Sequence, residues 1–204
     1  VGPRPTRSGV DDLLDPPPVV GEQGAGPGHD PRRTPVVDGE GVGRRAREAS
    51  RELNKLTSAP NQNFGFPYCH AGAIPDRDIT KANPCAGVSQ PVASMGPHTA
   101  AMGLHFYTGN MFPAEYRNAM FVARKGSWNR TQKSGYDVVM VRANADGTGS
   151  QVTPFITGFM DPATQAFWGR PAYFMQMPDG ALLVSDEQLG AIYRISYSAT
   201  TASN

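Results

Sequence analysis

No aromatic residue precedes Phe64, whereas every Phe, Trp and Tyr of the chain lies between Phe64 and Tyr197. Residues 1–51 also lack Cys, Met, Ile and Lys, which leaves almost nothing from which to build a core. A segment of this kind does not bury enough apolar surface to offset the entropy of ordering it. Runs such as Asp15-Pro16-Pro17-Pro18 and Gly24-Ala25-Gly26-Pro27-Gly28 disfavour helix and strand alike. The sequence therefore predicts a disordered leader over 1–51, a folded region over 52–197 and a tail over 198–204. Gly, Pro, Arg and Ala share GC-rich codons, so the leader reads either as a natural tail or as non-native text from a shifted reading frame. Both readings leave it without structure.

The remainder suits one domain. Nineteen basic residues face 18 acidic ones, a formal net charge of +1, which lacks the cationic surface that neutralises phosphates in a nucleic-acid binder. Mean hydropathy is -0.42, and no run approaches the ~18 apolar residues of a spanning helix, so no membrane span is expected. No basic stretch followed by an apolar one precedes Phe64, so these residues carry no secretory signal peptide.

The 23 Gly and 19 Pro favour turns and short strands over long helices, which points to an all-β fold. The compact runs Asn118–Ala123 and Tyr136–Val141 combine β-branched and aromatic residues as strands do. Asp146-Gly147 marks a turn before a third strand, Gln151–Ile156. A meander follows: Pro171–Met177, a Pro178-Asp179-Gly180 turn, Ala181–Asp186, a link through Gly190, and Ala191–Tyr197. In its last strand Ile192, Arg194 and Ser196 alternate with Tyr193, Ile195 and Tyr197, which puts the two sets on opposite faces. Short strands at even spacing suit a propeller blade or a β-sandwich, and the pattern alone does not choose between them.

Five segments occurring in order carry more than composition: Asn63–Cys69, Leu104–Gly109, Gly126-Ser127-Trp128-Asn129-Arg130, Trp168-Gly169-Arg170-Pro171 and Leu182–Asp186. Together they resemble the C-terminal part of the glucose/sorbosone dehydrogenase family, six-bladed β-propeller sugar dehydrogenases that use pyrroloquinoline quinone (PQQ). The resemblance runs from about Glu52 to Tyr197 and implies the last two to three blades of such a propeller. It implies oxidation of a sugar hydroxyl or aldehyde by hydride transfer to the quinone. The family's proton-accepting His has no matching position here, so no catalytic residue is assigned. The alternatives are a non-catalytic, degenerate propeller fragment and, with less support, a lactonase-type metal-dependent hydrolase using acids such as Asp161, Asp186 and Glu187.

PQQ is a planar tricarboxylate with an ortho-quinone, so its site needs cations and donors at the edge and flat groups against the faces. The resemblance places three loops around it. In Gly96–Ala101, His98 or Thr99 touches the cofactor; the competing role for His98 is capping its own loop, and His105 reads as structural. In Arg124–Arg130 the resemblance puts a basic residue at Lys125, where family members often carry His. Arg130 reads as a cofactor contact or as a partner in an ion pair between blades, and Trp128 as packing or as a ring platform. In Trp168–Pro171 it sets Arg170 against the quinone or a carboxylate; the competing role is stacking on Trp168. A second Arg found two residues on in the wider superfamily is Ala172 here.

Calcium is common in quinone enzymes of this type, yet no oxygen-rich calcium loop is recognisable, so calcium would be bound mainly outside these blades. Cys69 and Cys85 are predicted to close a Pro-rich loop by a disulfide; with His70 and Asp76 they do not make a standard zinc spacing. No metal ligand is assigned, and the Cys-x-x-Cys-His signature of covalent haem is absent. The family works outside the cytoplasm, so the resemblance implies a periplasmic or extracellular location. The implied partner is a sugar substrate. Open blade edges also predict self-association of the isolated chain.

Overall fold

The structure, a computed structural model, describes residues 50–198 except 129 and 149. Nearly all of the expected leader, and the tail beyond 198, lie outside the described residues. The first strand, β1 (Ser50–Leu53), starts just ahead of the expected boundary at Glu52 and pairs antiparallel with β4 (Ala93–Pro97). Between them, β2 (Cys69–His70) and β3 (Ile74–Pro75) form a small hairpin.

Two larger antiparallel sheets follow. One has the order β5-β6-β7-β8, built from Ala101–Phe106, Met120–Arg124, Asp137–Arg142 and Gln151–Ile156. The other has the order β11-β10-β9, built from Pro171–Gln176 (β9), Leu182–Asp186 (β10) and Ala191–Ile195 (β11). Each is a plain meander, so the chain forms neighbouring strands in sequence order. Among the described residues the helical content is the short 3₁₀ turn Ala114–Tyr116. This is an all-β architecture of blade-like sheets laid side by side.

The strand boundaries depart from expectation where the backbone turns left-handed. Asn118 has φ 61° and Tyr136 φ 65°, conformations that strands do not use, so β6 begins at Met120 and β7 at Asp137. β11 stops at Ile195, short of Tyr197, but within it the expected alternation holds: Ile192 and Arg194 are exposed, and Ile195 is buried.

The main core lies between the two sheets, where Tyr107, Phe121, Val138, Leu182 and Val184 are buried. Its largest polar anchor is Tyr107, whose hydroxyl donates to Gly180 O (2.8 Å) and accepts from the Met111 and Phe112 N–H groups (both 3.1 Å). The inner strands β5 and β9 touch backbone to backbone at Gly103. A Cβ there would lie 2.4 Å from Ala172 O, so any larger residue would force the sheets apart. On the other face of the four-stranded sheet, Met120, Val122, Val139 and Val141 pack against Ala93 and Met95 of β4.

Candidate functional site

Strand register brings the relevant loops to one place. Arg124 pairs with Ala101 and Asp137 at one end of the four-stranded sheet, and Asp186 pairs with Pro171 and Ala191 at one end of the three-stranded sheet. Arg170 joins these two ends. Its Nε donates to Lys125 O (3.2 Å) and its NH2 to Gly126 O (3.1 Å). The guanidinium sits 5.9 Å from the ring centres of both Tyr136 and Phe167. The expected competing platform was Trp168; the rings that hold Arg170 belong instead to the β7 start and to the loop before Trp168.

Glu187, the first residue after β10, lies between two cations. Its Oε2 is 2.6 Å from Lys125 Nζ and its Oε1 is 3.7 Å from Arg170 NH1. Lys125 and Arg170 keep 23% and 18% of their side-chain surface exposed against 40% for Glu187, so the carboxylate forms the solvent side of the cluster. Beneath it, Asp186 is 2% exposed. Its Oδ1 accepts from the N–H groups of Arg170 (3.0 Å), Gln188 (2.8 Å) and Leu189 (3.2 Å), and its Oδ2 from the Tyr193 hydroxyl (2.9 Å). Burial first, then that hydrogen bond and the negative charge behind it, push the Tyr193 hydroxyl up to about 12.

Two glycines permit this convergence. A Cβ on Gly126, at φ 102°, would lie 2.5 Å from the Tyr136 ring. One on Gly169 would lie 2.3 Å from Phe159 and 2.6 Å from Asp186 Oδ2. The Gly-Ser and Trp-Gly-Arg segments are thus legible as close approaches of backbone to ring and carboxylate.

The loop between β4 and β5 closes the same end. His98 (φ 58°) and Ala100 (φ 48°) are both left-handed, an uncommon geometry outside glycine. It turns Thr99 O toward Gly126 N (2.8 Å) and Ala100 O toward Lys125 N (3.1 Å). Thr99 itself is 1% exposed and its hydroxyl donates to Gly96 O (3.3 Å), so this side chain holds the loop and presents no free surface. His98 is half-buried beside it. His105, within β5, contacts Gln176 Oε1 (3.3 Å) on β9, a link between sheets.

Trp128 and Arg130 stand farther out, on the loop pinched by Ser127 N–H donating to Ser134 O (3.0 Å). The Trp128 side chain is not core packing: the residue is 83% exposed. Arg130 Nε donates to Gln132 O (2.9 Å), while its buried NH1 has no hydrogen-bond partner among the described residues. The Lys–Arg pair facing one carboxylate is the part of this end that suits an anionic group such as a PQQ carboxylate, with Trp128 and Arg130 on the loop that follows Lys125.

Sequence reasoning passed over Glu187 and Tyr136 as parts of this cluster. The available signal was the acidic pair Asp186-Glu187 at a strand end, matched to cations far off in sequence. The hydrolase alternative finds its three acids already engaged: Asp186 and Glu187 as described, and Asp161 Oδ1 accepting from Ala163 N–H (2.8 Å) with Oδ2 accepting from the Thr164 hydroxyl (2.8 Å). Among the described residues no three His, Cys, Asp or Glu side chains gather to hold a metal. No helix among them is long and apolar enough to cross a membrane.

Away from this end, Cys69 and Cys85 are joined by a disulfide. His70 Nε2 lies 2.8 Å from Asp76 Oδ2, and that hydrogen bond, with the Asp78 N–H, holds the Asp76 carboxyl below its usual range. A small apolar pocket of about 110 Å³, lined by Phe112, Tyr116, Phe155, Ile195 and Tyr197 among others, holds no charged side chain and does not suit an anion.

Blade-like meanders side by side, with cationic loops gathered at one common end, define part of a β-propeller with a candidate anion site on that end. Residues 47–198 match the TrAA12-like family, and the chain belongs to it. It is 32% identical over 148 residues to an uncharacterized protein of Borreliella burgdorferi, covering 72% of this chain and 38% of that protein. Its fold is similar to a Trichoderma reesei enzyme of carbohydrate-active family AA12, with TM-score 0.55 and 19% identity over 73% of this chain and 44% of that one. It is also similar to a glucose dehydrogenase, with TM-score 0.52 and 18% identity over 74% of this chain and 39% of that one. The chain therefore spans less than half the length of each of these relatives.

Proposed function

We propose that this chain supplies part of the PQQ pocket of a sugar dehydrogenase, a protein that oxidises a sugar hydroxyl or aldehyde outside the cytoplasm. The observation that carries the reading is the meeting of Lys125 and Arg170, from two different blades, around one carboxylate. Two partly buried cations sharing a carboxylate form the donor set that an acid-bearing ligand requires. PQQ, when bound, supplies the electron-accepting quinone. Lys125 and Arg170 would hold its carboxylates or a quinone oxygen, His98 and Arg130 would donate to its edge, and Trp128 would offer a ring face. Thr99 and Asp186 act through the backbone, fixing the two loops that carry these groups. None of these residues is assigned proton removal from the sugar.

The similarity to a glucose dehydrogenase fold supports the substrate class. The T. reesei AA12 enzyme is also known in a calcium structure, with TM-score 0.55, which is why calcium belongs in the test as an additive. The disulfide supports an oxidising compartment, where such bonds persist. Calorimetric titration of the 204-residue chain with PQQ, with and without calcium, tests the reading. Saturable binding that weakens at least tenfold in Arg170→Ala is expected. A flat titration, or affinity unchanged by Arg170→Ala, would sink the cofactor assignment and leave a propeller piece held together by these ion pairs.

A further inference from the structure

The carboxylate between the two cations belongs to the chain itself. Lys125 and Arg170 each reach a different oxygen of Glu187, Oε2 at 2.6 Å and Oε1 at 3.7 Å, so Glu187 bridges them as a ligand carboxylate would. It is also the most exposed side chain of the trio, and it follows β10 at the head of an exposed stretch, Glu187–Gly190. Arg170 is held in place without it, because two backbone carbonyls, Lys125 O and Gly126 O, accept from its guanidinium. Asp186, directly before it, is fixed by four donors. A fixed Arg170, with Lys125 beside it, thus faces a carboxylate on the solvent side of the cluster.

We propose that Glu187 is an internal stand-in for a ligand carboxylate and gates the anion site, so that an incoming acid binds by displacing it from Lys125 and Arg170. The identity of that acid as PQQ rests on the function proposed above; the displacement does not. Displacement lowers the apparent affinity by the fraction of time the site is open. Removing the internal competitor while keeping its shape, in Glu187→Gln, therefore tightens carboxylate binding by about tenfold when the site is open about a tenth of the time.

The control is Asp179→Asn, which removes the same charge at the opposite end of β10, where Asp179 pairs with Arg194. Five strand residues separate the two sites, about 17 Å at the usual rise. Calorimetry on the full chain would measure PQQ and pyridine-2,4-dicarboxylate, a simple two-acid probe, against wild type and both variants. The gate predicts that Glu187→Gln binds PQQ about tenfold more tightly, while Asp179→Asn binds as wild type does. If wild type binds PQQ and Glu187→Gln binds it no better, or Asp179→Asn improves it equally, the gate falls and the cofactor reading stands. If neither protein binds PQQ but Glu187→Gln gains binding of the dicarboxylate, the cofactor reading falls and the gate stands. Absence of binding of either probe to any of the proteins overturns both.

Discussion

Replacing Asp186 by Ala removes the one acceptor that ties Arg170, the loop after β10 and Tyr193 together. Four donors lose their partner, but Gln188 and Leu189 are exposed residues, so water reaches their N–H groups most readily. The cost falls on the Arg170 N–H and the Tyr193 hydroxyl, both part-buried. Hydrogen bonds to a charged group contribute roughly 1.5–3 kcal/mol each, and water entering the vacated space reduces the sum, so a loss of about 3 kcal/mol is expected. Asp186→Asn keeps the oxygen that serves the three N–H groups and turns an amide toward Tyr193, so it costs about 1 kcal/mol. Urea unfolding followed by circular dichroism measures both. A tyrosinate absorbance titration adds a second readout. The folded Tyr193 hydroxyl titrates at about 12 against 10.0 for an ordinary tyrosine, so its contribution to stability is complete below pH 10 and is lost as pH rises toward 12. Without Asp186 that value moves back toward 10 but stays above it, because burial is the larger cause. A destabilisation under about 1 kcal/mol in Asp186→Ala, with Tyr193 titrating unchanged, would refute the role given to this carboxylate.

Other substitutions probe the framework. Tyr107→Phe strips a fully buried hydroxyl from two donors and one acceptor, with an expected loss of about 3 kcal/mol in urea unfolding. Gly103→Val puts a side chain where Ala172 O now sits, and loss of the cooperative unfolding transition is the expected result. Replacing Cys69 and Cys85 together by Ser reopens the loop that their disulfide closes and lowers stability by about 3 kcal/mol, read as a lower urea midpoint that matches wild type in reductant.

The legible parts of the fold were those encoded locally. β8 to β10 follow from turns at Gly147 and Gly180, both left-handed at φ 86° and 91°, and β11 from its period of two. The β1–β4 pair was hidden because Ser50 meets Pro97 across nearly fifty residues of intervening chain, and no local pattern reports such a pairing. β6 and β7 were placed early because Tyr136 is a strand residue by type and Asn118 adjoins a strand-like run, while both backbones turn left-handed. The same division runs through the site. Lys125 and Arg170 stood out as cations beside Gly and Trp, features visible within a few residues. Glu187, which completes their cluster, was legible only as an acid at a strand end, because its partners come from another blade. The resemblance to PQQ enzymes implied a contact from His98 or Thr99; Thr99 is buried and bonded to Gly96 O, which adds a loop-holding role that its residue type alone does not report.

The proposed function makes the shared end of the two sheets an anion site for PQQ. At 21.8 kDa the chain is small enough for residue-by-residue amide NMR, which tests that claim most directly. On adding PQQ, shifts are expected at the amides of Ala100, Lys125, Gly126, Arg170 and Glu187, with those of Asp179 to Ala181 at the far end unmoved. Unchanged spectra, or shifts centred on the far end or scattered over the exposed faces of β5 and β9, would contradict it.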